Sequence, residues 1–459
     1  MSPEHSCSRR EFMKVVGAGA VSLASGCAHC AEGATDKPNI ILIMADDLGY
    51  GDLSCYGNRA FSTPNLDALA RGGVRFTDFH ANGPVCSPTR AALLTGRYQQ
   101  RCGIEGVITA KGHRDTGMAL AQATFAEVLK GAGYATGLFG KWHLGYRVDF
   151  NPTRQGFDEF CGYVSGNVDY HSHIDQTGVE DWWRDCERAR EEGYSTDLIT
   201  EHGIRFIERH KREPFCLYLP HEAPHYPYQG RNDQAGRAPG APTPTQGRRE
   251  DKAVAYSEMI AAMDEGVGRI VETVRRLGIE KNTFIFFCSD NGATPVGSNG
   301  PLAGHKGSLW EGGHRVPAIA CWPGTLAPGM MTSETAMTMD LFPTMAAIAQ
   351  VALPAGVHLD GVDLLPVLRE GVPLRERALF WRYGGCKAVR QGSWKLLVQG
   401  KREKCLRGKS GASVSLHNLA DDLGERTDLA SVQRKRVAAL QKALSDWETD
   451  VTAGVALRA

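Results

Sequence analysis

A cysteine and an arginine one helical turn apart form the stretch of this chain that is best suited to chemistry. Cys86 stands just ahead of Pro88, and residues 91–95 are good helix formers that end at Gly96. Because proline suits a first helical turn and glycine a C-terminal stop, a short helix is predicted here. Its N-terminus would favour an anion beside Cys86, with Arg90 on the same face. The stretch suits an oxyanion such as sulfate or phosphate, and the alternative is a buried structural cysteine.

Two short apolar runs each end in side chains that carry oxygen donors. The first, NIILIMA, is followed by Asp46 and Asp47, and the second, TFIFFCS, by Asp290 and Asn291. Such runs are typical of parallel strands buried on both faces, and open α/β sheets bind ligands at the carboxyl ends of these strands. Adjacent buried carboxylates are costly unless a cation compensates them, so the four side chains predict a site for Ca²⁺ or Mg²⁺. The alternative is a solvated Asp-Asp turn.

Lysine and histidine side chains with suitable proton chemistry follow two further predicted strands. Lys141 and His143 alternate in an extended segment, so both side chains are expected to point the same way. Together they could hold a sulfate oxygen and move a proton; the alternative is a polar strand end. His221 and His225 both follow the next strand, and an imidazole is a natural proton donor near neutral pH. The residues alone do not choose between them, and the role of His221 stays open.

The elements that must position these residues are predicted from alternating apolar strands and amphipathic helices. Residues 37–370 are expected to form an α/β domain whose large, mostly parallel sheet is sandwiched by helices. Residues 375–459 are expected to form a smaller subdomain, an antiparallel sheet plus a helix. Cys386 and Cys405 are expected to pair across a hairpin of this subdomain.

The first thirty residues predict export. Arg9 and Arg10 precede an uncharged run over residues 15–24, as in a Tat-type signal peptide, here assigned to residues 1–30. The run is too short to span a membrane, and the alternative is an ordinary helix start. The expected location is periplasmic or extracellular, and lipid anchoring at Cys27 is left open.

The composition argues against several classes of partner and site. Lysine plus arginine and aspartate plus glutamate both number 52, so no nucleic-acid partner is indicated. The 13 cysteines do not make a disulfide-dense scaffold. Outside the export region they lack paired zinc-ribbon spacing, so no structural metal site is predicted.

The motifs, taken in chain order, resemble the type I sulfatase family, an arylsulfatase-like branch of the alkaline phosphatase superfamily. C-S-P-T-R at Cys86 is followed by A-A-L-L-T-G-R, as in that family. The other matching motifs are D-D-L-G-Y-G-D, G-K-W-H-L-G, A-P-H-Y-P and G-H-K-G-S-L-W-E-G-G. The resemblance covers residues 37–447, and its segment over residues 155–170 tends to face the substrate in the family.

The resemblance implies a sulfuric ester hydrolase that depends on formylglycine, an aldehyde made from Cys86 by a maturase, whose hydrate supplies the nucleophile. It implies calcium as the cation, and the implied metal ligands are Asp46, Asp47, Cys86, Asp290 and Asn291. The implied catalytic residues are Cys86, Arg90, Lys141, His143, His225 and Lys306. The expected partners are a sulfated carbohydrate or aryl sulfate, the formylglycine-generating maturase and the Tat translocase. The alternatives are a phosphonate monoester or phosphodiester hydrolase and a non-catalytic protein that binds sulfated glycans.

Several other polar residues have no assigned role. Asp169, His171 and His173 alternate, which suits either a pocket lining or a polar strand edge. His305 departs from the family motif without a known function. Residues 229–250 are rich in glycine, proline and arginine, so a long surface loop is expected there, over the cleft.

Overall fold

A computed structural model describes residues 37–241, 246–401, 405–408 and 411–453. The predicted signal peptide, with Arg9, Arg10 and Cys27, lies outside the described residues. Within them, none of the helices combines the length and apolarity needed to cross a membrane.

A large mixed sheet forms the centre of the molecule. Its strands run in the spatial order β10-β2-β9-β8-β1-β7-β3-β4-β5-β6, and β11 also pairs with β2. The strands from β8 to β4 in this order are parallel, whereas β9 is antiparallel to both of its neighbours. The strand bounds are β1 Asn39–Ala45, β2 Val74–His80, β3 Ala135–Lys141, β4 Glu159–Tyr163, β5 Trp183–Arg184, β6 Glu187–Arg188, β7 Phe215–Pro220, β8 Thr283–Ser289, β9 Arg315–Cys321, β10 Met330–Thr332 and β11 Ala336–Met337.

Helices cover both faces of this sheet. Their bounds are α1 Pro64–Arg71, α2 Cys86–Thr95, α3 Phe125–Gly131, α4 Ser195–His210, α5 Lys252–Arg276, α6 Glu311–His314, α7 Leu341–Ile348, α8 Leu365–Glu370 and α9 Arg434–Thr452. Alternate side chains of β1 enter two different apolar cores, Leu42 on the side of α2, α3, α7 and α8, and Ile43 on the side of α1, α4 and α5. A central strand packed on both faces explains the continuous apolar run that predicted it.

A second, four-stranded antiparallel sheet lies near the C-terminus. Its strands are β12 Ala378–Tyr383, β13 Cys386–Gln391, β14 Trp394–Gln399 and β15 Ser413–Asn418, in that spatial order. Leu440, Leu444 and Trp447 of α9 pack in its core. Cys386 and Cys405 form a disulfide, as expected. The predicted fold class is confirmed. The boundary between two domains stays a prediction. The apolar core that packs on the second sheet also contains Trp310, which belongs to the expected larger domain.

A buried ionic network joins the second sheet to the first. Lys395 of β14 is fully buried, and its ammonium lies 2.9 Å from Glu311 and 3.0 Å from Glu425. Arg390 of β13 contacts Asp78 of β2 at 2.6 Å. Charges removed from water must be paired, so the contact between the two sheets depends on these pairs.

Lys395→Met should destabilise the protein by about 3–5 kcal/mol, because it leaves buried carboxylates without their cation. Lys442→Met is the matched control, since Lys442 forms an exposed pair with Asp446 at 2.6 Å, and such pairs contribute about 1 kcal/mol or less. Urea unfolding followed by circular dichroism measures both variants. Equal losses of stability in the two variants would contradict the structural role given to the network.

Candidate active site

The four predicted oxygen ligands meet at one edge of the main sheet. Strands β1 and β8 are parallel neighbours, with Ala45 opposite Ser289, so the side chains that follow them converge. The Asp47 backbone N–H donates to Asp290 Oδ1 at 3.2 Å, and Asn291 Nδ2 donates to Asp47 Oδ1 at 2.8 Å. Asp47 adopts a left-handed φ of 65°, an uncommon conformation for a residue other than glycine.

The electrostatics of this edge suit a hard divalent cation. Asp47 Oδ2 and Asn291 Oδ1 are buried without a hydrogen-bond partner among the described residues. Burial raises the pKa of Asp47 to about 6 and also raises the pKa of Asp290. A Ca²⁺ or Mg²⁺ ion would bind the two oxygen atoms that lack hydrogen bonds and offset the repulsion between the buried carboxylates. The residues present therefore fit the predicted metal.

Helix α2 brings Cys86 to the same place. As predicted, the helix begins at Cys86 and stops ahead of Gly96, which has a left-handed φ of 64° and donates its N–H to Ala92 O. Cys86 Sγ lies 3.5 Å from Asp46 Oδ1 and 3.5 Å from Lys306 Nζ, and the residue is only 2% exposed. Burial, reinforced by Asp46, holds the pKa of this thiol well above its usual range, so the unmodified thiol is protonated at neutral pH.

Two buried cations lie against the carboxylates of the site. Arg90 donates to Asp290 Oδ2 through Nε at 3.2 Å and through Nη2 at 2.8 Å. Lys141 forms an ion pair with Asp46, and both side chains are fully buried. Although burial alone would raise it, the pKa of Asp46 is lowered by the charges of Lys141 and Arg90, which keeps this carboxylate ionised.

Lys306 provides a third cation at the rim of the site. Its ammonium lies 2.6 Å from Asp47 Oδ1, and 17% of its side chain is exposed. The three predicted cations therefore surround the carboxylates, with Lys306 as the most accessible of them.

The two predicted histidines carry their protons on different ring nitrogens. His143 Nε2 lies 3.0 Å from Ile108 O, and because a carbonyl only accepts, Nε2 carries the proton. His143 Nδ1 then keeps its lone pair and is buried without a partner among the described residues. His225 Nδ1 donates to Tyr226 O at 2.5 Å, which directs Nε2 to within 3.7 Å of Asp47 Oδ2.

Burial and the neighbouring cations favour the neutral form of both rings. Burial, Lys141 and Arg90 hold the pKa of His143 well below its usual range. Burial and Lys306 do the same to the pKa of His225. A bound anion would oppose the effect of these cations.

The expected extended alternation of Lys141 and His143 is wrong. The chain leaves β3 after Lys141, and His143 has a left-handed φ of 58°. The Lys141 ammonium therefore lies on Asp46, whereas the His143 ring lines the cavity in front of Cys86. Both side chains reach the site, by different routes.

A cavity of about 250 Å³ opens in front of Cys86. Besides Cys86, it is lined by His143, His225 and Lys306 of the predicted set. Further polar or aromatic lining comes from Tyr146, Ser165, Asn167, Gln176, Tyr226 and Tyr383. A larger cavity of about 580 Å³ lies beside α1 and α5 and contains none of the predicted site residues.

The substrate-facing expectation for residues 155–170 agrees with the positions of Ser165 and Asn167 in the lining. Arg237, from the described part of the expected surface loop, donates to Asn167 Oδ1 at 2.7 Å, so this loop packs beside the cavity. Gln176 and Tyr383 were not predicted. Tyr383 reaches the cavity from β12, and no local motif marks it.

The other unassigned residues do not line this cavity. Asp169 accepts backbone N–H groups and shapes a turn. His171 and His173 line a separate cavity, and His221 is buried with a pKa lowered to about 4 by desolvation. His305 is exposed and lies 3.3 Å from an asparagine side chain.

Comparison with known proteins identifies the family. The sulfatase family model matches residues 38–351, most of the chain. The chain belongs to the sulfatase family. It is 36% identical over 393 residues to N-acetylgalactosamine-6-sulfatase of Mus musculus, covering 80% of this chain and 72% of the relative. It is also 36% identical over 401 residues to human arylsulfatase A, covering 78% and 74%. The protein is therefore a sulfatase that hydrolyses sulfate esters.

Solved structures support the same fold. Ps i-CgsB superposes with a TM-score of 0.80 at 30% identity, covering 90% of this sulfatase and 93% of that chain. The phosphonate monoester hydrolase of Agrobacterium radiobacter superposes with a TM-score of 0.64 at 21% identity, covering 91% and 96%. The second likeness concerns the fold alone.

Asp290→Ala should abolish binding of the divalent cation, because it removes a carboxylate from the cluster at the ends of β1 and β8. Inductively coupled plasma mass spectrometry of the purified protein measures metal content. Asp264→Asn is the control, since Asp264 is buried but accepts the N–H groups of Asn65 and Leu66 at the start of α1. Normal metal content in Asp290→Ala, or zinc held by histidines at this site, would contradict the assignment.

Proposed function

We propose that this sulfatase removes sulfate from a sugar or aryl ester with a formylglycine made from Cys86 and a divalent cation, with Ca²⁺ favoured over Mg²⁺. The observation that carries the proposal is the position of Cys86 at the start of α2, between the carboxylates and the cavity. Asp46, Asp47, Asp290, Asn291 and the side chain derived from Cys86 would hold the cation. The cation would neutralise charge on the sulfate as a Lewis acid.

The sulfate group would be held by the three cations of the site. Lys306 is partly exposed and lines the cavity, so it can reach an entering anion. Arg90 and Lys141 are more deeply buried and form ion pairs with Asp290 and Asp46. Fixed positive groups in a site of low water content stabilise charge that develops in the transition state without further reorganisation.

The histidines would move the protons. A hydrated formylglycine supplies two hydroxyl groups, one to attack sulfur and one whose deprotonation later releases sulfate. His225 would protonate the leaving oxygen through Nε2, assisted by Lys306, because a bound sulfate offsets the cations that keep this ring neutral. His143 would accept a proton at Nδ1, the nitrogen whose lone pair has no partner among the described residues.

The substrate class is proposed from relatives and from the lining of the cavity. One relative is an N-acetylgalactosamine-6-sulfatase, and Ps i-CgsB has also been solved in complex with k-i-k-neocarrahexaose. The side chains of Asn167, Gln176 and Tyr383 offer amide and aromatic surfaces, which suit a hydroxylated ring. A sulfated carbohydrate is therefore the favoured substrate.

The rival enzymatic function is hydrolysis of phosphonate monoesters or phosphodiesters, since a hydrolase of this kind shares the fold. Matched panels of aryl sulfates, aryl phosphonates and aryl phosphodiesters, assayed with the purified mature enzyme, separate the two. A higher kcat/KM for the phosphorus esters would reject the proposal.

Cys86→Ala should lower kcat by at least about 10⁴-fold while leaving the fold intact, because it removes the precursor of the nucleophile. Cys102→Ala is the control, since Cys102 is buried but lies outside the cavity. Aryl sulfate hydrolysis and circular dichroism are the measurements. The intact mass of the Cys86 peptide should show loss of sulfur and two hydrogens and gain of one oxygen; an active enzyme without that change would end the proposal.

Export should follow maturation. Cys86 is 2% exposed in the folded protein, so a maturase cannot reach it there, whereas a Tat translocase carries folded proteins. Replacing Arg9 and Arg10 with lysine should trap the protein inside the cell with the aldehyde already formed. Cell fractionation with peptide mass spectrometry tests this. Trapped protein with unmodified Cys86 would contradict cytoplasmic maturation, and undisturbed export would contradict the Tat assignment.

A further inference from the structure

A second group of metal-binding side chains lies away from the catalytic cavity. The donor atoms of Cys161 on β4, Glu191 before α4 and His202 on α4 all lie within 4.8 Å of one another. Cys161 Sγ is 3.3 Å from His202 Nε2 and 3.7 Å from Glu191 Oε2. None of the three lines the catalytic cavity, and the proposed mechanism uses none of them.

The donor set and its spacing suit zinc. Zinc binds thiolate, imidazole and carboxylate ligands at about 2.0–2.3 Å, so tetrahedral donor atoms lie about 3.3–3.6 Å apart. Both distances from Cys161 Sγ are close to this range. His202 Nε2 and Glu191 Oε2 are 2.8 Å apart as a hydrogen-bonded pair and would separate by about half an ångström around the ion.

The surroundings hold these ligands in place and leave access to them. The Trp182 indole N–H donates to Glu191 Oε2 at 3.1 Å, and the His202 ring stacks on Phe139 with centroids 5.7 Å apart. Such contacts orient metal ligands. All three ligands line a cavity of about 410 Å³, so an ion can enter and water can occupy a fourth position.

The charge around the cluster tolerates an added cation. The cavity wall carries three acidic residues and three arginines, which are Glu159, Asp185, Glu191, Arg184, Arg205 and Arg209. Arg209 is paired with Glu159, and Arg205 lies 3.8 Å from Glu191. Arg184 interacts with Cys161 and Glu191 and would move away from the thiolate when an ion binds. The wall therefore carries equal numbers of acidic and basic side chains, and no lysine is among them.

We propose that Cys161, Glu191 and His202 bind one zinc ion, with water in the fourth position. Binding would release the Cys161 thiol proton to solvent while the imidazole binds in its neutral form, so the site gains one net positive charge. The ion would tie β4 to α4 and to the segment before it. A sulfur and nitrogen site favours zinc over the calcium or magnesium that the oxygen site at Asp46 prefers.

The test titrates the full-length mature enzyme with zinc in excess calcium, using calorimetry for stoichiometry and thermal unfolding for stability. One equivalent of zinc should bind and raise Tm. Cobalt in place of zinc should give a thiolate-to-cobalt charge-transfer band. Cys161→Ser and His202→Gln should weaken binding about tenfold or more and remove or diminish that band.

Two matched variants make the result specific. Cys186→Ser removes a nearby cysteine outside the cluster, and Asp290→Ala alters the catalytic cation site; both should bind zinc like the parent enzyme. Unchanged sulfatase activity shows that Cys161→Ser and His202→Gln are folded. If Cys161→Ser does not fold, Glu191→Gln is used in its place, because the Glu191 side chain is 21% exposed and its replacement disturbs the fold less. Absence of saturable binding, or binding that persists in the cluster variants, would overturn the proposal.

Discussion

Three buried carboxylates at the ends of two adjacent strands are the constraint on which the rest of the site depends. Asp46, Asp47 and Asp290 follow β1 and β8 and are almost inaccessible to water. An unpaired buried charge costs several kcal/mol, so the surrounding structure must supply cations. It does so from distant parts of the chain, through Arg90 on α2, Lys141 at the end of β3 and Lys306.

This balance has a consequence for binding. With three carboxylates facing three cations, the ligand-free site carries little net charge. A divalent cation would take up the carboxylates, release the lysines and arginine from them, and leave an excess of positive charge. The negatively charged sulfate ester would then enter a site with excess positive charge. Metal binding and substrate binding are therefore expected to favour each other.

Prediction from the sequence succeeded where the determining interactions are local. Strand β1 could be predicted because both of its faces are buried, and α2 because proline and glycine mark its ends. The direction of the His143 side chain could not be predicted, because it depends on a left-handed backbone conformation that no residue type in the segment indicates. Tyr383 and the pairing of Cys161 with His202 arise from contacts between distant segments, which spacing along the chain does not encode. The disulfide between Cys386 and Cys405 matches the expected pairing, although spacing alone did not require it. The roles of the site residues remain predictions.

The choice of substrate depends on side chains that come from segments far apart in the sequence, and the fold alone does not determine it. A phosphonate monoester hydrolase shares the fold, so the fold alone does not determine which ester is hydrolysed. For the sugar sulfate proposed above, discrimination among substrates would come from side chains that line the cavity in front of Cys86, such as Asn167, Gln176 and Tyr383. Two of these are held by other parts of the chain, since Arg237 fixes Asn167 and β12 positions Tyr383. The buried network of Lys395 anchors the sheet that contains β12, and it therefore also helps to determine the shape of the cavity in front of Cys86.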